Sequence, residues 1–255
     1  MMSTMTRELI GLHRRELMRD RRYFWFALLF PFGMMGIFLL IGALVPKIEG
    51  GPDFATLVTP MALFLAVTST ALTVTSGSLA AMRAKGTLRL LGTTPVGRGR
   101  LLLTHMVVRI AMVVIQAIAL LAIAIVAADL EPARIPALFG IILLGTAMFG
   151  GLGYLIGGRI DSPDAATNLC TIVQLVTLFL SGLAIPFAML PDGVVKVLSL
   201  LPTTFFADLM LTQMPGATTQ HPAWLSAAVV SGCAVAAIGA AIAWFKWDQG
   251  EGGNA

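Results

Sequence analysis

Cysteine, acidic residues and catalytic signatures are what this 255-residue sequence has least of. Its two cysteines, Cys170 and Cys233, lie in apolar stretches without CxxC or His-rich spacing. They read as small packed hydrophobes and imply neither a disulfide framework nor a metal site. No G-x-x-x-x-G-K-[ST] phosphate loop occurs, so nucleotide, if it drives the protein, belongs to another chain, and no cofactor is assigned to this one. The apolar segments carry neither the paired carboxylates nor the His/Asp chain of a proton- or sodium-coupled carrier. No Ser-His or Asp-Asp constellation suggests intramembrane hydrolysis, so no catalytic residue is proposed and an enzyme is not expected. Charge is scarce as well. Charged residues are 12% of the chain against 57% hydrophobic, with a mean hydropathy of +0.88, which is the composition of a bilayer-embedded protein.

What is present is a series of apolar runs long enough to cross a hydrocarbon core of about 30 Å, which takes about 20 helical residues. Six are predicted. The first, Tyr23 to Val45, follows Arg14, Arg15, Arg19, Arg21 and Arg22; this resembles a signal peptide, but the run is too long for an ordinary one and reads as a retained span. The second, Ala55 to Met82, is rich in Thr and Ser in its lower half and is expected to pack closely. Ile110 to Ala128 is about 28 Å of helix by itself. Leu101 to Arg109 is therefore expected as an interfacial or protruding extension of span three, with Arg109 snorkelling to the headgroups. Span four runs from about Ile135 to Gly158, with a glycine-rich end suited to close packing; span five covers Ala165 to Leu190 and span six Trp224 to Trp247.

The net charge of +4 is clustered, which points to membrane orientation rather than to nucleic acid. The segment before Tyr23 and the loop 83–100 hold eleven basic residues, whereas the opposite loops hold Lys47, Arg134 and Lys196. Both termini and the loop are therefore predicted to be cytoplasmic. The domain reading is a cytoplasmic amphipathic helix at 1–22, a six-span domain at 23–247 and a tail at 248–255. In the first of these, Leu9, Ile10, His13 and Leu17 share one side, and His13 reads as an incidental surface residue. The segment 191–223 has apolar stretches too short to cross and prolines at 191, 202, 215 and 222, which fits a re-entrant outer region. Asp208 within it is either functional or a solvent-facing helix cap.

Polar residues inside spans leave two readings open, interhelical hydrogen bonding or the lining of a path. In span five Thr167, Thr171, Gln174, Thr177 and Ser181 fall within about 120° of the helix circumference. Span two offers Thr70 and Thr73 among more scattered hydroxyls. The candidate path residues are Thr70, Thr73, Thr171, Gln174, Thr177 and Ser181. His105 and Arg109 are four apart and share a face; without an acid they make no catalytic pair, and headgroup contact is the simpler account.

The stretch "KGTLRLLGTTPVGRGRLLLTH", residues 85–105, resembles the cytoplasmic loop after the second span in the membrane subunits of type-2 ABC transporters, the ABC-2 permeases. "FLSGLAIPFAMLPDGVVKVLSLLPTTFFADLML", residues 179–211, is similar to that family's late segment, with its Ser-Gly, its later Pro and its Leu-Pro-x-Thr element. The resemblance implies an all-α exporter permease in a bacterial inner membrane. Its expected partners are a second permease copy, most simply in a homodimer, and a separate ATPase that holds ATP and Mg. It implies a coupling helix seated in an ATPase groove, formed from Gly86, Thr87, Leu88, Arg89, Leu90, Leu91, Thr94 and Pro95. Gly86 is expected to turn the chain, Thr87 to cap, the three leucines to anchor in the groove and Pro95 to stop the helix. Pro186, Pro202, Thr203 and Asp208 are the candidate outer gate. Two departures stand out: Ala84 and Arg89 occupy places where the family commonly has glutamates, and Asp208–Leu211 lacks the arginine that often ends the late motif. A membrane scaffold that docks some other protein and a secondary transporter are the rival readings.

Overall fold

A computed structural model of the chain describes residues 4–19, 21–44, 54–93, 98–127 and 130–244. Among these it is helical throughout, with eleven α-helices. Helix α1 (Thr4–Arg19) precedes α2 (Arg21–Leu44), and a long helical run follows as α3 (Phe54–Thr68), a π-helical segment (Ser69–Val74) and α4 (Thr75–Ala84). Short α5 (Thr87–Gly92) leads into α6 (Arg98–Ala127), α7 (Ile135–Gly157) and α8 (Pro163–Leu180). Helices α9 (Asp192–Leu198) and α10 (Pro202–Leu211) precede the last long helix, α11 (Ala223–Ala243).

Among the described residues, five runs are long and apolar enough to cross a bilayer: Leu57–Ala84, Arg100–Val126, Pro132–Gly157, Pro163–Leu180 and Ala223–Ala243. With 24 residues, α2 is about 36 Å long and covers most of the apolar run that the sequence places first; within it Ala27–Gly42 is a shorter apolar helix. Helices α9 and α10 meet at a bend of 97°, the geometry of a broken span or of a re-entrant loop. The protein is an all-α polytopic membrane protein.

Leu57–Ala84 lies at the centre, its apolar window buried throughout, because it is apolar or small on every face. Around it stand α2, α6, α7, α8 and α10. The glycine-rich end of α7 permits this: a Cβ on Gly157 would lie 2.5 Å from the Ser76 carbonyl oxygen and 2.8 Å from its Cα. Deeper in, Phe64, Phe149 and Phe206 join α3, α7 and α10, with ring centroids 5.6–5.7 Å apart and two of the three pairs edge-on. Each such pair contributes about 0.5–1.5 kcal/mol beyond its burial, which keys α10 into the core.

One expected boundary is corrected. Span five ends at Leu180 rather than Leu190. Ser181 Oγ donates to the Leu178 carbonyl at 2.7 Å and accepts from Leu183 N at 3.4 Å, closing the helix, and Pro186 then starts a single 3₁₀ turn, Phe187–Met189. The start of α6 continues span three as one helix of 30 residues, and Leu101 and Leu102 are buried against the bundle. Lys47, Trp247 and the tail 248–255 lie outside the described residues.

Candidate functional site

The end of the bundle that carries the basic loop is built from the last turn of α4, α5, the first turns of α6, α1 and the α7–α8 connection. At the close of α4, Gly86 adopts φ +67, a conformation that costs a glycine little, and the chain reverses into α5. Its N–H donates to the Arg83 carbonyl at 2.8 Å, and its own carbonyl accepts from Leu90 N at 3.1 Å. Gly86 thus holds the cap position, and Thr87, expected as the cap, is already helical. Thr93 closes α5 through Oγ1, which donates to the Leu90 carbonyl at 2.8 Å.

Of the three leucines expected to anchor in a partner's groove, Leu88 is turned inward instead. Leu88 is 0% exposed and packs with Leu9, Leu79, Met82, Leu101, Leu102, Tyr154 and Ala241. Leu90, 70% exposed, points away. A two-residue step on a helix turns by about 200°, so one leucine seats α5 on the bundle while the other is free to meet a partner. The side chains of Arg89 and Leu91, and Thr94 and Pro95 entirely, lie outside the described residues.

Arg83, in the last turn of α4, is buried, and its Nη2 donates to Asp161 Oδ1 at 3.0 Å across to the α7–α8 connection. Asp161 directly precedes Ser162, the N-cap of α8, whose Oγ accepts from Ala165 N at 3.3 Å. Further into the bundle is a buried polar cluster. Arg109 Nη2 donates to Ser78 Oγ at 2.6 Å and approaches His105 Nε2 at 3.1 Å; Ser78 Oγ is 2.8 Å from the same nitrogen, and His105 Nδ1 is 2.8 Å from the Tyr154 hydroxyl. A guanidinium only donates, so Nε2 is the accepting nitrogen. The His13 ring meets that of His105 edge-on at 4.8 Å, bringing α1 down onto α6.

Two further expectations fall here. Arg109, 1% exposed, faces the bundle rather than the headgroups, because Ser78 and His105 offer it partners there. His13 is buried, not an incidental surface residue.

At mid-bundle Gln116 donates from Nε2 to the Ala27 carbonyl at 2.7 Å and accepts at Oε1 from Thr70 at 2.9 Å, linking α6, α2 and the π-helical segment. Thr75 Oγ1 donates to the Thr70 carbonyl at 3.0 Å, and Thr73 Oγ1 to Gln174 Oε1 at 3.1 Å. Of the α8 stripe, Thr167, Thr171, Thr177 and Ser181 all turn their hydroxyls back onto α8 carbonyls. Gln174 is the member that reaches another helix.

At the opposite end Pro202 begins α10 at the 97° bend. Thr204 Oγ1 donates to the Leu198 carbonyl at 2.7 Å and staples the bend, whereas Thr203 Oγ1 is buried without a hydrogen-bond partner. Thr204 is the threonine of the Leu-Pro-x-Thr element, so the signal was in the sequence, one residue beyond the chosen Thr203. Asp208 is not a solvent-facing cap. It is 2% exposed and accepts from Gln220 N at 3.0 Å, His221 N at 3.1 Å and His221 Nδ1 at 2.9 Å, while the His221 ring stacks on Phe205 at 4.1 Å. Arg83, Asp161, Ser78, Tyr154 and Gln116 were also missed; each finds its partner on another helix, which no local pattern announces.

The fold and these sites define a polytopic membrane protein whose polar groups serve helix contacts and whose basic end carries a short helix set on a turn. The family model described as ABC-2 family transporter protein matches residues 43–244. The chain belongs to that family and is a membrane permease of an ABC transporter. A search of curated proteins finds no match.

Proposed function

We propose that the chain is the permease subunit of an ATP-driven exporter in a bacterial inner membrane, with both termini and the loop 83–100 in the cytoplasm. It works as a homodimer with a separate ATPase, and ATP and Mg are held by that partner. The observation that carries this reading is the split of α5: Leu88 clamps the helix to the bundle while Leu90 stands 70% exposed beside it. An exposed leucine on a helix that cannot move without its bundle is a fitting contact for a partner's apolar groove. Family membership supports the same arrangement. Closure of the ATPase pair then pushes α5, and α4 carries the push into the central span.

The test is to isolate the tagged chain from its native membranes and identify a co-purifying ATP-binding-cassette ATPase. Leu90→Asp is expected to lose the ATPase while inserting normally, and Leu90→Cys to label from the cytoplasmic side. Undiminished co-purification of the Leu90→Asp chain, or labelling of Leu90→Cys from outside only, refutes the proposal.

A further inference from the structure

We infer that Arg83 and Asp161 form an ionic strap that holds α5 and the start of α8 in one fixed relation. The two halves of the observation meet in one residue. The Arg83 backbone carbonyl accepts from Gly86 N at 2.8 Å and so shapes the turn into α5. Its side chain, 3% exposed, donates to Asp161 Oδ1 at 3.0 Å, one residue before the Ser162 cap of α8. Any displacement of α5 that pulls on α4 therefore reaches α8 through this pair.

The charge balance makes Arg83 depend on its partner. Its Nε and Nη1 are buried and make no hydrogen bond, so Asp161 is the carboxylate that compensates the buried guanidinium among the described residues. Removing one member of such a pair leaves a buried charge uncompensated. Asp161 itself is 66% exposed, so water screens the pair and its share of global stability is small. The consequence is positional: without Asp161 the guanidinium turns outward to water, and the last turn of α4 is freed from α8.

Below the strap the α4–α8 seam continues in polar contacts. Ser76 Oγ lies 3.5 Å from the Ala166 carbonyl, and Thr73 meets Gln174 at 3.1 Å. The strap is thus the outermost link of a seam running from the basic end to mid-bundle. That the seam transmits a stroke from an ATPase rests on the function proposed above, and Arg83 and Asp161 are then positioning residues for coupling.

The experiment measures spin-label distances in the full chain in nanodiscs. Labels are placed through Leu90→Cys and Ala165→Cys, both exposed positions, in a Cys233→Ala background; Cys170 is fully buried. The chain with Asp161 intact and the Asp161→Glu chain are expected to give one narrow distance peak, and Asp161→Asn to broaden it with little loss of thermal stability. A peak that stays narrow in Asp161→Asn overturns the strap, and so does broadening of equal size in Asp161→Glu. Co-purification of the ATPase is read separately: its absence with Asp161 intact defeats the coupling reading, while the distance peaks alone decide the strap.

Discussion

Replacing Leu88 by Ala separates the two leucines of α5 most cleanly. Leu88 is fully buried in an apolar cluster drawn from α1, α4, α6, α7 and α11. Truncating a buried leucine costs about 2–5 kcal/mol, transfer and cavity together. Six residues are too few to hold a helix alone in water, so this loss falls on the docking of α5 rather than on the whole bundle. At about 1.4 kcal/mol per factor of ten, protection of the Leu90 and Thr93 amides falls by roughly 30-fold to a few thousand-fold. Leu90→Ala removes a side chain that is mostly exposed and stays within about 0.5 kcal/mol, or roughly 2-fold. Hydrogen exchange read by mass spectrometry on the chain in nanodiscs resolves the difference. Equal protection in the two variants, or a larger loss in Leu90→Ala, would show that Leu88 does not seat the helix.

Gly157→Ala forces a Cβ to within 2.5 Å of the Ser76 carbonyl and pushes α4 from α7; a cost of about 1–3 kcal/mol or more is expected as a lowered Tm. Gly140→Ala, with nothing within 4 Å, is the control and keeps or raises Tm. Ser78→Ala takes a hydrogen-bond partner from both Arg109 and His105, and the buried donor and acceptor left behind cost about 1–3 kcal/mol, visible as a lower denaturation midpoint. Asp208→Asn keeps the shape but removes the charge that two backbone amides and His221 bond to. It is expected to weaken the clasp on the 212–222 connection by about 1.5–3 kcal/mol and to raise its rate of limited proteolysis; an unchanged cleavage rate counts against the clasp.

The helical membrane class and the bend at Pro202 were legible in the chain, because the length of an apolar run and proline punctuation are local quantities. So was Gly86 as the turn into α5. Leu88 and Leu90 were not separable: both are leucines in one short apolar stretch, and which faces inward depends on where α1, α6 and α11 lie. Arg109 was misread for a related reason. From the sequence a guanidinium several residues inside an apolar run has only headgroups to reach for, and the alternative exists once Ser78 on another helix is brought to 2.6 Å.

Composition and periodicity by themselves determined that this chain crosses a bilayer as helices, since burying backbone polar groups in hydrocarbon admits few other solutions. Only the assembled bundle decided which polar residues bond to their own helix, which reach across, and which leucine is left exposed. Those outcomes turn on contacts between residues far apart in the chain, such as Arg83 with Asp161 and Thr73 with Gln174. Their energies depend on distance and burial that no single segment encodes.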